Sequence, residues 1–342
     1  MSPSSSTSVA CHLPHVRICL YQGSYHLFEW FTTTLGLLYH DQVVEEINNN
    51  HTNSQFLPGV ELNPNLTATT QVAQVLQQSE VLFIGLPARF IEQTLMPARD
   101  RLHDRAILVN LAKGFEQETG RTPLRILEGM FPQHRRVMLA GPIIANEFVR
   151  GMPTVAMLAG QNSSDLLTVA RLVETDAFRT RFTDDDLGVE LGGILKNVYT
   201  IGLGMFDGLQ ISSMNFRAAY LTTTLREITR MGVSLGGQAE TFAYLAGMGD
   251  LLATALSEHS HNRKMGELLA QGKTLEQVEA EMGVLPEGYN SLRFVLALAE
   301  KLQISLGLAR GLWEVIHGQI DMDRFITSAV HDFMGQDVRK AE

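Results

Sequence analysis

The segment D-D-D-L-G-V-E-L-G-G-I-L-K-N-V-Y-T-I-G-L-G-M-F-D, residues 184 to 207, is largely apolar and long enough for one helix. Several glycines nevertheless lie inside it, among them Gly192, Gly193, Gly202 and Gly204. Each glycine in a helix interior costs about 1 kcal/mol relative to alanine. Because glycine has no Cβ, another backbone or a flat ligand can lie directly against the helix. The segment therefore predicts a helix that is closely approached along its length.

One cation, Lys196, stands in the middle of this apolar segment and is followed by Asn197. One interpretation is a lysine whose stem lies on apolar surface while its ammonium reaches water. The other is a catalytic lysine, because a partly desolvated ammonium has a lowered pKa and exchanges a proton near neutral pH. The segment alone leaves both interpretations open.

The composition limits the class of protein. A chain of 342 residues is long enough for two domains, each with its own core. The net charge of −10 argues against nucleic acid or an anionic membrane as a partner, since both select basic surfaces. No uncharged apolar run approaches the ~20 residues that a membrane helix needs. We therefore expect neither a nucleic-acid partner nor membrane insertion.

The N-terminal region gives a further indication of the compartment. The only cysteines, Cys11 and Cys19, allow no disulfide framework and no cysteine-based metal site, which fits a reducing, cytoplasmic setting. The polar start M-S-P-S-S-S-T-S-V lacks the basic and apolar regions of a signal peptide. Residues 1–14 are therefore predicted to be a disordered tail.

The chain then changes its pattern once. Up to about residue 183, short apolar runs alternate with helix-length segments, which predicts βαβ units and a mainly parallel sheet. The predicted strands are Val16–Tyr21, Leu37–Tyr39, Val81–Leu86, Ala106–Leu111, Val137–Ala140, Thr154–Leu158 and Phe178–Phe182. Beyond it, helical periods dominate, at Ala218–Leu235, Leu251–Gln271, Leu275–Met282 and Ser291–Leu302. We predict a Rossmann-like dinucleotide-binding domain over residues 15–185 and an all-helical substrate domain over residues 186–342.

The turn after the first strand is a weak nucleotide signal. It reads L-Y-Q-G-S-Y-H, whereas a G-x-G-x-x-G turn needs glycines for the tight turn, for the pyrophosphate and for helix packing. Only Gly23 matches, and Tyr21 and His26 stand at the other two positions. Taken alone, the turn argues against a tightly held dinucleotide.

Other candidate groups follow the predicted strands and open the later helices. Lys113 follows the fourth apolar run of the sheet, at the edge where ligands bind, although it could be an ordinary loop lysine. Asp250, in A-G-M-G-D-L-L-A-T, is either a helix N-cap or a carboxylate that pairs with a lysine or a substrate, with Thr254 one turn later. In H-S-H-N-R-K, His259 and His261 lack further ligands for a metal, so a basic cluster for phosphate is the better interpretation and no metal site is predicted.

Together these segments form an ordered set of motifs. Between Val43 and Ile320 the chain contains E-I-N, F-L-P-G-V-E-L, N-L-T-A-T, A-K-G-F-E, A-G-P with A-N-E, R-G-M-P-T, E-L-G-G-I-L-K-N-V, A-G-M-G-D-L-L-A-T, H-N-R-K with G-E-L-L, and P-E-G-Y. The set resembles the NAD(P)-dependent sn-glycerol-3-phosphate dehydrogenases of the bacterial type. The resemblance implies an α/β Rossmann-like domain, then an all-α domain of the 6-phosphogluconate-dehydrogenase kind. It also implies NAD or NADP as cofactor, and interconversion of sn-glycerol 3-phosphate and dihydroxyacetone phosphate for phospholipid synthesis.

The resemblance also implies residue roles. Lys196 would accept the proton of the C2 hydroxyl, Lys113 would touch substrate and cofactor, and Asp250 and Thr254 would be their partners. The implied substrate-binding residues are Lys113, Gly141, Ile143, Lys196, Asn197, Asp250, Ser260, His261 and Asn262. The implied cofactor-binding residues are Gly23, Ser24, Tyr25, His40, Lys113, Ala145, His261, Leu285 and Glu287.

The chain departs from the family pattern at both ends of the expected ligand site. Tyr21 and His26 replace glycines, and the segment before His40 is shorter by more than a helical turn. His261 stands where an arginine is expected, and Ile143 where a serine or threonine is expected. An arginine grips phosphate with two N–H groups and a permanent charge, whereas a histidine is mostly neutral at pH 7, so weaker phosphate binding or a different substrate is predicted.

These departures leave alternatives open. The chain is either a working dehydrogenase with a divergent turn or a catalytically impaired relative that acts as a binding or regulatory protein. A segment translated in a shifted frame between Leu20 and Leu38 would also give this pattern. The sequence does not choose between NAD and NADP, and the apolar helical half makes a homodimer plausible.

Overall fold

The computed structural model describes residues 16–20, 34–37, 41–55, 57–148, 150–257 and 260–334. The predictions for the tail at 1–14 and for Gly23, Ser24, Tyr25 and His40 lie outside these residues. The strands are β1 Val16–Leu20, β2 Thr34–Leu37, β3 Thr52–Asn53, β4 Leu57–Glu61, β5 Leu66–Thr69, β6 Val81–Gly85, β7 Ile107–Asn110, β8 Arg135–Ala140, β9 Thr154–Ala159 and β10 Phe178–Thr183.

Eight of the described strands form one sheet in the order β10-β9-β8-β7-β6-β1-β2-β5. Every pair in it is parallel except β8 with β9, which run antiparallel. All residues of β6 and β7 are buried, as expected of central strands covered on both faces, which read as continuous apolar runs. The predicted Rossmann-like α/β half with a mainly parallel sheet is confirmed.

The order of the strands creates one crevice. The chain passes from β1 to β2 on one side, while β6 pairs with β1 on the other. In doubly wound sheets, ligands bind outside the carboxyl ends of the strands where the order reverses in this way. The carboxyl ends of β1 and β6 therefore mark the expected dinucleotide position.

Helices cover this sheet and then make up the rest of the chain. Those of the sheet half are α1 Asp41–Asn50, α2 Val72–Gln77, α3 Ala88–Leu95, α4 Pro123–Met130, α5 Ala145–Phe148 and α6 Ser163–Val173, with a 3₁₀ segment at Met96–Arg101. Those that follow are α7 Asp186–Gly208, α8 Met214–Ser234, α9 Ala239–Phe242, α10 Asp250–Leu256, α11 His261–Ala270, α12 Leu275–Met282, α13 Glu287–Lys301, α14 Gly307–Ile316 and α15 Met322–Met334, with a π-helical turn at Leu245–Gly249. The predicted helical half is thus confirmed, whereas the domain boundary at residue 185 remains a prediction.

Helix α7 is the centre of the helical half. It is buried along almost its whole length, and α8, α10, α11 and α13 pack around it. Its glycines permit this packing: a Cβ on Gly204 would collide with the backbone of Arg263 in α11, and one on Gly192 would lie 2.6 Å from the carbonyl oxygen of Ala246. The close approach predicted from the glycines is confirmed, and it is made by backbone.

Two local features differ from what the sequence suggests. Leu57-Pro58-Gly59 contains a Pro-Gly pair typical of a turn, but it is the start of β4, which pairs with β3 across an irregular register. Gly59 has a φ of 79° there, a conformation that glycine adopts freely. The predicted continuous helix Leu251–Gln271 is two helices, because Ser260 begins α11 by accepting a hydrogen bond from Arg263 N at 3.4 Å.

Strand β2 also begins earlier than expected. It covers Thr34–Leu37 rather than Leu37–Tyr39, in register with Val16–Cys19 of β1. Beyond it, Leu66–Thr69 forms the unpredicted edge strand β5. In the part of the chain that the structure describes, no helix combines the length and hydropathy required to cross a membrane.

Candidate active site

Lys196 lies at the middle of α7 with only 8% of its surface exposed. Its Nζ donates a hydrogen bond to Thr254 Oγ1 at 2.5 Å and forms an ion pair with Asp250 Oδ1 at 3.0 Å. The Thr254 hydroxyl in turn donates to the Asp250 backbone carbonyl at 2.7 Å, so its lone pairs face the ammonium. The lysine is therefore held inside the protein and does not extend its ammonium to solvent.

Asp250 is not the N-cap that its position suggested. Gly249 occupies the N-cap position of α10, and no side chain caps the helix there. The Asp250 carboxylate instead binds two ammonium groups, Lys196 through Oδ1 and Lys113 through Oδ2 at 2.6 Å. Two cations attract the buried carboxylate more strongly than backbone N–H groups do. One carboxylate thus joins the two lysines that the sequence placed 83 positions apart.

Lys113 reaches this carboxylate from the carboxyl edge of the sheet. It lies in the loop after β7, and its stem passes over Gly193 of α7, where an added Cβ would stand 3.1 Å from Lys113 Cε. The side chain of Asn110, the last residue of β7, supports the loop by accepting from Ala112 N at 3.0 Å. The loop after β7 therefore directs Lys113 towards Asp250, and Gly193 of α7 leaves space for the lysine side chain.

Burial and charge set the protonation of this cluster. Burial lowers the pKa of Lys196 to about 8, with Asp250 acting to raise it and Lys113 to lower it. Burial alone would raise the pKa of Asp250, but Lys113 and Lys196 hold it below its ordinary value. At neutral pH the cluster contains one carboxylate and an ammonium pair that is close to releasing a proton.

The three residues predicted to bind phosphate stand at the start of α11. Ser260 is its N-cap, and His261 is exposed at the first helical position. Asn262 is buried and accepts a hydrogen bond from Gly288 N at 2.9 Å, so it also holds the start of α13. Asn197 lies next to this contact, because a Cβ on Gly288 would collide with its carbonyl group. The structure thus brings the α7 site and the α11 terminus together.

Of the candidate ligand residues that follow β8, Gly141 lies beside the π-helical turn that precedes Asp250. Gly141 has a φ of 120°, and its added Cβ would lie 3.5 Å from Met157 N and 3.8 Å from Leu245 O. Ile143 is half-buried, and Ala145 is the first residue of α5. Gly141 thus lies against this turn, while the roles of all three residues as ligand contacts remain predictions.

Glu287 lies against the loop that carries Lys113, and Leu285 is close to it in the chain. Glu287 begins α13, and a Cβ on Gly114 would collide with its carboxylate. Burial raises the pKa of Glu287 to about 7, and the charge of Arg89 acts against this rise. Leu285 is half-buried two residues earlier. Glu287 therefore lies beside Lys113, on the side where a cofactor was expected.

Sequence reasoning missed three residues of this region. Glu190 and Asn110 hydrogen-bond to each other at 3.4 Å beneath the lysine loop. Asn110 could have been identified from the sequence, because it is a polar residue at the end of an apolar strand. Arg89, near Glu287, followed Pro87 without any distinguishing motif.

The described part of the site offers groups that suit a dinucleotide. At the carboxyl edge of the sheet, the Nε of Arg89 is buried and has no hydrogen-bond partner among the described residues. Because Gly114 has no Cβ, the Glu287 carboxylate can lie directly against its backbone. In the ranges that the structure describes, no three His, Cys, Asp or Glu side chains are grouped as metal ligands would be. The site therefore offers the guanidinium of Arg89 to a ligand, and Lys196 and Glu287 as groups that exchange protons near neutral pH.

Comparison with known proteins gives the same assignment along the chain. The family models described as the N-terminus and the C-terminus of NAD-dependent glycerol-3-phosphate dehydrogenase match residues 25–166 and 185–327. A glycerol-3-phosphate dehydrogenase NAD(P)+ of Sphingopyxis alaskensis is 37% identical over 81% of this chain and 83% of its own. One of Carboxydothermus hydrogenoformans is 37% identical over 80% of this chain and 82% of its own.

A solved structure extends the likeness to the fold. The crystal structure of glycerol-3-phosphate dehydrogenase from Coxiella burnetii superimposes with a TM-score of 0.85 at 25% identity, covering 95% of this chain and 100% of that one. Two family models that together span most of the chain, and relatives above 30% identity over four-fifths of it, point to one family. The chain belongs to the family of NAD-dependent glycerol-3-phosphate dehydrogenases.

Proposed function

We propose that the protein interconverts sn-glycerol 3-phosphate and dihydroxyacetone phosphate with NAD or NADP. The observation that carries this proposal is the Asp250 carboxylate, which holds Lys196 at 3.0 Å and Lys113 at 2.6 Å. The two ammonium groups exceed the one carboxylate by a single positive charge. Such a buried excess attracts a small phosphate-bearing substrate and supplies a group that exchanges a proton near neutral pH.

In the oxidising direction, the neutral Nζ of Lys196 accepts the proton of the substrate C2 hydroxyl. The C2–H bond breaks with its electron pair, and the C2–O bond becomes a carbonyl. The bound dinucleotide supplies the hydride acceptor at this step. In the reverse direction the Lys196 ammonium returns its proton to the carbonyl oxygen, while Thr254 and Asp250 hold Nζ in place.

The remaining candidate residues would bind and orient the substrate and the dinucleotide. Ser260, His261 and Asn262 at the start of α11 would receive the substrate phosphate, with Gly141, Ile143 and Asn197 beside the reacting carbon. Lys113, Ala145, His261, Leu285 and Glu287 would line the dinucleotide on the side of the nicotinamide. We also propose that the protein is cytoplasmic and supplies glycerol 3-phosphate for lipid synthesis. We further propose that it forms a homodimer and has no nucleic-acid partner.

The direct test is a titration of the purified protein with NADH and NADPH, followed by fluorescence, and then turnover of dihydroxyacetone phosphate. We expect binding of one or both and consumption of the reduced cofactor. Lys196→Ala should lose about 10² to 10⁴ of the rate while it remains folded. Lys301→Ala is the matched control, since that lysine is exposed in the last turn of α13, at the opposite end of the helix from Glu287.

The catalytically impaired alternative makes the opposite prediction. A chain that fails to bind either cofactor at millimolar concentration, or that binds one without any turnover, would contradict the dehydrogenase function. The buried cluster of Lys196, Lys113, Asp250 and Thr254 favours the enzyme, because a purely structural relative has no use for an excess buried cation.

A further inference from the structure

We propose that Arg89 binds a phosphate group of the dinucleotide in the crevice between the carboxyl ends of β1 and β6. The proposal rests on the dinucleotide dependence of the proposed function. It adds a binding residue that neither the sequence motifs nor the family match singled out.

The position of Arg89 follows from the sheet. Strand β6 ends at Gly85, Pro87 directly precedes α3, and Arg89 is the second residue of that helix. Because β6 pairs with β1 where the strand order reverses, the start of α3 borders the crevice in which such sheets bind dinucleotides. Arg89 therefore lies at the entrance to the cofactor site.

Arg89 forms no salt bridge with the residues that the structure describes, although its charge acts to lower the pKa of Glu287. Its guanidinium stacks over the ring of Phe90 at 4.7 Å, and its Nε is buried without a hydrogen-bond partner among those residues. By contrast, Arg121 on the same side of the sheet hydrogen-bonds to the carboxylates of Glu92 and Glu116. A buried N–H of an arginine that has no partner in the protein indicates a ligand or solvent partner.

The surroundings of Arg89 connect it to the lysine cluster. Glu287 lies within electrostatic range of Arg89, and its carboxylate contacts Gly114, which follows Lys113 in the chain. Arg89 thus stands between the strand crevice and the reacting groups, where the phosphates that join the two halves of a dinucleotide would pass.

The sequence shows why such a residue is needed. Tyr21 and His26 replace two glycines of the usual phosphate turn, and His261 replaces an arginine. A guanidinium binds a phosphate with two parallel N–H bonds and a permanent charge. Arg89 is positioned on the β6 side to supply a charged contact for phosphate, where a glycine-rich turn would use backbone N–H groups.

The test measures the dissociation constant of NADH by fluorescence without substrate, in the wild-type chain, Arg89→Gln and Arg89→Lys. We expect at least tenfold weaker binding in Arg89→Gln, a partial recovery in Arg89→Lys, and a weaker dependence on salt in the glutamine variant. Arg99→Gln is the matched control, because Arg99 is exposed and forms an ion pair with its neighbour Asp100. The affinity of this variant for NADH should equal that of the wild type.

Three further measurements identify the group that is bound. ADP-ribose, which carries the two phosphates without nicotinamide, should lose affinity in Arg89→Gln by the same factor as NADH, whereas adenosine should not. The KM for dihydroxyacetone phosphate at saturating NADH should not change. An NADH affinity within twofold of the wild type, or a changed KM with unchanged NADH affinity, overturns the proposal, and the second result would assign Arg89 to the substrate phosphate.

The two proposals fail separately. If the wild-type chain binds NADH but does not turn over dihydroxyacetone phosphate, the proposed function is contradicted, while the dissociation constants still decide the role of Arg89. If the wild-type chain is active and Arg89→Gln binds NADH normally, only the Arg89 proposal is overturned. If Arg89→Gln does not fold, equal salt dependence in Arg89→Lys and the wild type supports a charge contact, and loss of all affinity in Arg89→Lys contradicts it.

Discussion

At the scale of single residues, the site is governed by one carboxylate shared between two ammonium groups. Asp250 stabilises the charged form of Lys196, and burial together with Lys113 destabilises it. The balance leaves the pKa of Lys196 at about 8 rather than near 10.5. A lysine in this range is partly neutral under physiological conditions and is therefore a usable base as well as an acid.

Two variants should move the pH dependence of the reaction in opposite directions. Oxidation of glycerol 3-phosphate needs neutral Lys196, so kcat/KM should rise as the pH increases through about 8. Asp250→Asn removes an attraction that raises this pKa, and its midpoint should move to lower pH. Lys113→Met removes a repulsion that lowers it, and its midpoint should move to higher pH.

The measurement is the pH profile of the residual rate for each variant, taken at high enzyme concentration. Lys301→Met, which alters an exposed lysine in the last turn of α13, should keep the wild-type midpoint. Shifts in the same direction for the two site variants would show that Lys196 is not the titrating group.

His261 offers a gain-of-function prediction. It is exposed at the first position of α11, where the sequence pattern expects an arginine. His261→Arg should lower the KM for dihydroxyacetone phosphate about tenfold, because a charge-assisted bidentate hydrogen bond is stronger than a neutral one. His103→Arg, at the amino end of β7, is the matched control and should leave the KM unchanged. An unaltered KM in His261→Arg would place the substrate phosphate elsewhere.

At the scale of secondary-structure elements, the glycines of α7 decide how closely α11 approaches. Gly204→Ala would force its Cβ into the backbone of Arg263 and should destabilise the fold by about 1–3 kcal/mol. It should also raise the KM for substrate, because α11 carries Ser260, His261 and Asn262. Gly129→Ala in α4 is the control: its nearest neighbour is a flexible Arg121 atom 3.9 Å away, so it should be neutral or stabilise by up to about 1 kcal/mol. Urea denaturation and steady-state kinetics measure both effects.

The elements that could be predicted from the sequence are those with strong local patterns. The central strands β6 and β7 are continuous apolar runs, and the glycines of α7 indicated that other backbone segments pack closely against it. The break between α10 and α11 could not be predicted in this way. It depends on Arg263, whose guanidinium hydrogen-bonds to the carbonyl groups of Ala255 and Ser257 and to Asp207 of α7. Such contacts join residues that are distant in sequence, and no periodicity reports them.

The candidate site divides in the same way. Lys196, Lys113 and Asp250 were identified from their positions and motifs, since a cation in an apolar helix and a lysine at the sheet edge are unusual. Arg89 was not identified, because its importance comes from a buried N–H group that lacks a partner. Glu190 was not identified, because its importance comes from contacts between the two halves of the molecule.

At the scale of the whole molecule, Glu190 of α7 joins the helical half to the sheet half. Its fully buried carboxyl accepts from Leu124 N at the start of α4 at 2.8 Å and from Asn110 Nδ2 of β7 at 3.4 Å. Burial raises its pKa from 4.5 to about 7, against the hydrogen bond from Leu124, which lowers it. In the folded protein the protonated form therefore predominates up to about pH 7.

This raised pKa predicts how stability depends on pH. Because the folded pKa lies above the unfolded one, the stabilisation is complete below about pH 4.5 and is lost as the pH rises through about 7. Such a shift corresponds to about 3 kcal/mol. Glu190→Gln, which stays neutral, should match the wild type near pH 5 and be more stable than it by about 1–3 kcal/mol near pH 8.5.

Urea denaturation at both pH values measures this difference. The matched control is Glu128→Gln in α4, because the Arg125 hydrogen bond lowers the pKa of Glu128, and its stabilisation is lost only as the pH falls. This variant should gain nothing at high pH. Equal free energies of unfolding for Glu190→Gln and the wild type near pH 8.5 would contradict the assignment.

The position of β10 at one end of the sheet bears on how copies of the protein meet in concentrated solution. A strand with one open side offers unpaired N–H and carbonyl groups to another chain, and exposed charge on such a strand opposes that pairing. Along β10 the exposed positions include Arg179 and Arg181, which alternate with the buried Phe178 and Thr180. Two copies that joined along β10 would bring like charges together. The arginines of β10 therefore disfavour pairing between copies along this edge.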